Sequence, residues 1–156
     1  MTAGDESSIR RAIALAEEAA ARGDVPIGAV LVCDGHVFEA FNEKELRPDP
    51  TAHAEILVLQ RASTALQRWR LSDATLYVTK EPCVMCAGAM IAARIARLVF
   101  GCRDPKGGAA GSVVNVFALA ELNHRVAVTC GVLEEATAAQ LQAFFARKRS
   151  SGGLSP

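Results

Sequence analysis

The chain has 156 residues and a mass of 16.5 kDa, the size of one compact domain. It is 51% hydrophobic and 22% charged, and 17 basic residues cancel 17 acidic ones, so it lacks the polarity and net charge of a disordered chain. No apolar run nears the ~20 residues of a membrane span, and Met1 to Arg11 is polar without a hydrophobic signal region, so a soluble cytoplasmic protein with no membrane partner is expected.

A first helix is expected from about Ser8 to Arg22, with Ile9, Ile13 and Ala16 on one face, Ser7 or Ser8 as cap and Gly23 as stop. Ala29 to Cys33 and His36 to Phe41 flank Asp34-Gly35, the pair expected at a two-residue hairpin turn. A loop of charge and proline, Asn42 to Pro50, leads into a second helix starting near Thr51 or His53. A strand from Thr75 to Thr79, a helix from about Cys83 to Ala93 and a strand from Arg97 to Gly101 follow, then a glycine-rich loop from Cys102 to Ser112. After a weaker segment come strand Val126 to Thr129 and a last helix from about Leu133 to Arg149.

Helices alternating with strands after an opening hairpin predict an α/β fold. The arrangement is a three-layer α/β/α sandwich around a mixed five-stranded sheet, its first pair antiparallel and its later strands parallel. One domain is expected over residues 1–149, and residues 150–156, rich in serine and glycine, read as a disordered tail.

Charge is uneven along the chain. Residues 1–89 hold 9 basic against 13 acidic side chains, and residues 90–156 hold 8 against 4. A polyanion would therefore meet the C-terminal part, although drift of charge between solvated faces accounts for the count equally simply. Five cysteines in a chain without a secretory signal argue against a disulfide framework. Cys33 and Cys130 follow apolar runs and read as small buried hydrophobes at strand ends. Only Cys83 and Cys86 have ligand spacing.

Two motifs carry the chemistry, His53-Ala54-Glu55 and Pro82-Cys83-Val84-Met85-Cys86, each at the start of a predicted helix. Residues three apart on a helix share a face, so both sulfurs can reach one ion. The helix N-terminus favours their thiolate forms, and Pro82 suits a helix start because it lacks the N–H that would be unpaired there. With His53 as a third ligand, one nitrogen and two sulfurs suit tetrahedral Zn²⁺ with one position open. Two thiolates and a neutral imidazole leave such a site formally neutral. It acidifies water less than a three-histidine site does, which makes a neighbouring base useful, and Glu55 stands two residues from His53. The alternative is a closed structural zinc site with Cys102, Cys33 or His124 as fourth ligand.

At these residues the sequence resembles the zinc-dependent cytidine/deoxycytidylate deaminase superfamily, whose signature is H-x-E…P-C-x-x-C. The likeness is greatest to bacterial tRNA-specific adenosine deaminases. It runs through Pro26 to Val30, Pro50 to Ile56, Ala74 to Thr79, Glu81 to Ile91, Val99 to Gly101, Gly107 to Ser112, Leu122 to Arg125 and Phe144-Phe145. The resemblance implies a cytidine-deaminase-like fold and hydrolytic conversion of adenosine to inosine at the wobble position of a tRNA anticodon. It also implies one Zn²⁺ per subunit, a homodimer using the third helix and the loops around the site, and the anticodon stem-loop as partner. His53, Cys83 and Cys86 carry over as zinc ligands and Glu55 as the proton shuttle, while a backbone N–H near Ala54 is expected to hold the purine.

Asn42 falls where the family has an asparagine on the flipped nucleotide; its alternative role is to cap the loop after the second strand. Arg103, Asp104 and Lys106 lie in the loop after the fourth strand, where the resemblance implies a grip on neighbouring nucleotides, although Asp104-Pro105 is also a plain turn signal. Phe144-Phe145 and Arg147-Lys148-Arg149 pair aromatic with basic groups, and one phenylalanine is expected in the core while Phe145 and Arg149 meet RNA. The chain departs from the family pattern at Lys80, where a neutral residue is expected, and at Cys102, whose thiol is expected near the pocket rim. Two other functions share these motifs: deamination of a free base or nucleoside (guanine, cytosine or cytidine), and a catalytically silent zinc-stabilised RNA-binding subunit.

Overall fold

The computed structural model describes residues 1–152. Asp34 and Gly35 both take positive φ, 52° and 73°, and fold β1 (Gly28–Cys33) back on β2 (His36–Phe41). The other edge of β1 pairs antiparallel with β3 (Thr75–Lys80), which pairs parallel with β4 (Arg97–Cys102), which pairs parallel with β5 (Ala127–Thr129). The sheet order is β2-β1-β3-β4-β5, the mixed five-stranded sheet that the alternation of elements predicts.

Strand alternation divides the core between the two faces. Ala29, Leu31, Leu76, Val78, Leu98 and Phe100 pack on one side with α2 (Ala54–Leu66) and α3 (Val84–Ala92). On the other side Val30 and Tyr77 meet α1 (Ala3–Ala21), and Val99 lies with Ile9 and Val132 at the foot of α4 (Glu134–Ser150). The side-chain amide of Gln140 ties α4 to α1 by donating to the Ile13 carbonyl at 3.0 Å. The layers are therefore helix, sheet and helix.

The first helix starts well before Ser8. Thr2 is its cap: the Thr2 hydroxyl accepts from Asp5 N–H at 3.2 Å, and Asp5 accepts from Thr2 N–H at 2.8 Å. The long-range reason is Arg97 on β4, whose guanidinium donates to both Asp5 oxygens at 2.8 and 3.0 Å. This bidentate bond outweighs burial and holds the Asp5 carboxyl far below the ordinary carboxylate range. The residues expected to form a tail begin with Ser150, which still belongs to α4, and Ser151-Gly152, which form a turn. The rest of that expectation lies outside the described residues.

Candidate active site and metal centre

The site lies where β3 runs into α3 and the loop after β2 runs into α2. His53 and Cys83 occupy the N-cap positions of α2 and α3, with extended backbones and no side-chain capping bond. Ordinarily such a side chain turns back to its own helix N–H groups. Here both turn inward instead. His53 Nδ1 lies 3.7 Å from Cys83 Sγ and 3.5 Å from Cys86 Sγ, and the three ligand atoms fall within 4.8 Å of one another.

Between these protein groups Cys83 accepts the Cys86 S–H, which, with His53, pulls it down to about 4 against the opposing cost of burial. The same bond and burial push Cys86 up. His53 is raised, first by its hydrogen bond with Cys83. These bonds favour the thiolate form at Cys83, and a bound dication would favour it at Cys86 as well.

No fourth ligand closes this group among the described residues. Cys33 is buried at the end of β1 beside Asp73, where burial pushes its thiol up to about 11. His124 Nε2 is 2.7 Å from the Ile95 carbonyl. Cys102 is 4% exposed, so it is a buried strand-end residue and not a rim thiol; burial raises it. The closed four-ligand alternative is thereby excluded among the described residues. The donor set fits Zn²⁺ with one position left for a reactant.

Glu55, in the first turn of α2, is 3% exposed, and its Oε1 has no hydrogen-bond partner. Burial raises its carboxyl against the pull of Cys86 and His53. A buried, unpaired acceptor beside a metal-binding triad is costly unless it serves chemistry. Because His53 faces the cluster, another group must cap α2. Asn42, 2% exposed at the end of β2, does so: its Oδ1 accepts from Ala54 N–H at 2.9 Å. That N–H, expected to face a purine, is thus occupied, and Asn42 caps a helix and not merely a loop.

Glu81 has a different setting. It is 2% exposed and accepts from the backbone N–H groups of Asp104, Ala110 and Ser112 at 2.9 to 3.0 Å and from the Ser112 hydroxyl. Burial alone would raise Glu81, but the bonds from Ser112, Asp104 and Ala110 prevail and lower it. A Cβ at residue 108 would lie 2.4 Å from this carboxylate, so the loop needs Gly108.

Asp104, Lys106, Phe145 and Arg149 line one groove of about 560 Å³ with Lys80. A cleft of about 50 Å³ holding His53, Glu55 and Cys83 adjoins it, sharing Lys80 and Asp104. Phe144 is buried, whereas Phe145 is half-buried against it, ring centroids 5.4 Å apart. Arg103 stands outside the groove and donates to Cys130 Sγ at 3.2 Å. Cys130 is exposed, contrary to the expectation of a buried strand end, because β5 is the outer strand and stops at Thr129.

Residues 3–149 match the MafB19-like deaminase family. The tRNA-specific adenosine deaminase of Bacillus subtilis is 47% identical over 146 residues, 93% of this chain and 91% of that protein. A solved structure from studies of A-to-I editing by tRNA:A34 deaminases at the wobble position of transfer RNA aligns with a TM-score of 0.83 at 46% identity, covering 86% of this chain and 99% of that one. The chain belongs to the tRNA-specific adenosine deaminase family. The fold is shared more widely: a guanine deaminase from Nitrosomonas europaea aligns with a TM-score of 0.79 at 26% identity, over 90% of this chain and 84% of that one.

For a member of this family, sequence reasoning missed Glu81 as the anchor of the glycine-rich loop. The available signal was its place directly before Pro82 and ahead of a loop with Gly107, Gly108 and Gly111, whose many free N–H groups need an acceptor.

Proposed function

We propose that this deaminase hydrolyses adenosine to inosine at the wobble position of a tRNA anticodon, with one Zn²⁺ held by His53, Cys83 and Cys86. The carrying observation is the buried Glu55 carboxyl, whose Oε1 has no partner, beside a three-residue cluster that no fourth ligand closes among the described residues. When bound, zinc supplies the Lewis acidity that makes water a nucleophile near neutral pH.

Glu55 takes one proton from the attacking water and delivers it to the ring nitrogen of adenine. The water oxygen bonds to the amine-bearing carbon; the second proton, from the hydroxyl so formed, passes to the amine as its C–N bond breaks, and ammonia leaves. A raised carboxyl suits both halves of this work, since it accepts and returns a proton near the operating pH. Asn42 fixes the start of α2 and so aims His53 and Glu55 from opposite sides of Ala54. The groove residues Asp104, Lys106, Phe145 and Arg149 favour a flipped base within an RNA loop, which is more readily unstacked than a base in a duplex. Arg103 adds a cation on the same loop.

A cytoplasmic homodimer accords with the surface. No described helix is long and apolar enough to cross a membrane. Trp69 is 60% exposed beside an open apolar hollow between α2 and α3, lined by Ile56, Leu59, Ala89 and Ala92. Light scattering should return twice the 16.5 kDa chain mass; a monomer would count against the dimer.

The deciding experiment scores inosine formed by the zinc-loaded protein in an anticodon stem-loop with wobble adenosine, against free adenosine, cytidine and guanine. Product only in the stem-loop is expected. Turnover of a free base with the RNA untouched would move the chain to the small-molecule deaminases, and no turnover at all would leave the silent subunit.

A further inference from the structure

Lys80 and Asp104 form the wall common to the metal cleft and the groove. The cleft, at about 50 Å³, is far smaller than the adjoining groove of about 560 Å³. A base inserted there by its reacting edge would leave its sugar and phosphates at the mouth, toward the groove. At that mouth Lys80 Nζ lies 2.8 Å from Asp104 Oδ2, with 26% of the lysine side chain exposed.

From this placement we propose that Lys80 is a substrate-binding residue. Its ammonium holds the phosphodiester joining the nucleotide in the cleft to its neighbour in the groove. The inference rests on the RNA-deaminase reading above and adds a subsite to it.

Three observations support the assignment. First, the ammonium is held in position. Asp104 is itself fixed, since its Oδ1 accepts from Lys106 N–H at 3.1 Å and its own N–H donates to Glu81 at 2.9 Å. Lysine has three N–H donors, so the pair with Asp104 leaves two for a phosphate without being broken. Second, the pair is not needed to anchor the loop, because Glu81 already accepts four hydrogen bonds from it. Third, the groove carries Lys80, Lys106 and Arg149 against Asp104, a net positive wall suited to a backbone polyanion. A free base or nucleoside has no phosphate, so Lys80 separates polynucleotide from small-molecule substrates.

The test compares the zinc-loaded full chain with Lys80→Met and Lys80→Arg, using the anticodon stem-loop for both inosine formation and fluorescence-anisotropy binding across a salt series. Lys80→Met should raise KM roughly tenfold with kcat little changed, and should flatten the slope of log affinity against log salt by about 0.7, the share of one single-strand phosphate. Lys80→Arg should restore both. A Lys80→Met protein with the parent's KM and salt slope would overturn the proposal, as would a loss confined to kcat, which would mark the pair as a loop prop. If the parent chain makes no inosine in the stem-loop, the functional reading fails by itself; the salt slopes of binding then still judge Lys80, and equal slopes would reject it.

Discussion

Glu55 and Glu81 are buried to almost the same degree, 3% and 2% exposed, and both line the cleft that holds Cys83, yet their surroundings differ. Around Glu81, backbone and hydroxyl donors from the glycine-rich loop satisfy both oxygens and hold the carboxyl ionised. Around Glu55, one oxygen has no partner, and burial pushes the carboxyl up. Equal burial therefore does not fix a carboxylate's role. Satisfied hydrogen bonds make Glu81 part of the framework, and their lack leaves Glu55 free to trade protons.

The largest effect should come from removing the metal side of that contrast. Cys86→Ala should abolish inosine formation and lower both zinc content and Tm, since the ligand cluster joins helix starts from distant parts of the chain; a variant that keeps its zinc would remove Cys86 from the ligand set. Next, Glu55→Ala should bind zinc and fold normally but lose at least ~100-fold in rate. Because it deletes a buried carboxyl with one unsatisfied oxygen, its Tm should be unchanged or higher. Retained activity would strip Glu55 of its role.

Glu81→Gln tests the other member. Losing the ionised acceptor should cost about 3 kcal/mol in urea unfolding, with zinc still bound. A neutral result would mean that the loop holds itself.

The pH dependence should separate the two carboxylates. Glu81 is held below its ordinary 4.5, so its stabilisation is complete above that pH and is lost as pH falls through the lower folded value. Glu55 lies above its ordinary 4.5, so its contribution is present below that pH and is lost as pH rises through the folded value. Acid unfolding of Glu81→Gln should therefore be shallower than that of the parent, and metal-free Glu55→Gln should gain stability toward neutral pH. Smallest of all, Phe145→Ala should weaken stem-loop binding in a fluorescence-anisotropy titration by about 1 kcal/mol, the loss of one stacked base, with zinc content unchanged.

Much of the site was legible because its geometry is local. H-x-E and P-C-x-x-C each lie within one helical turn of an N-terminus, and the three-residue spacing of Cys83 and Cys86 puts both sulfurs on one face. His53 and Glu55, two residues apart, need the packing of α2 on α3 to meet the cluster. The hairpin was equally readable, since Asp34-Gly35 meets the positive φ that its turn demands. Asn42 was identified as a site residue, but its bond to Ala54, 12 positions away, was not. Cys102 and Cys130 were both misplaced, one buried and one exposed, because strand ends look alike until the neighbouring layer is known.

The order of elements, the sandwich, the grouping of His53 with Cys83 and Cys86 and the nearness of Glu55 to it were all legible in the chain, from periodicity and short motifs. Only the tertiary structure decided that α1 begins at Ala3, stabilised by an Asp5–Arg97 pair 92 residues apart. It likewise decided that Glu81 holds the loop and that Lys80 stands between cleft and groove. The physical reason is common to these cases: a side chain's hydrogen-bond partners and burial depend on which distant elements pack beside it, and no local pattern carries that information.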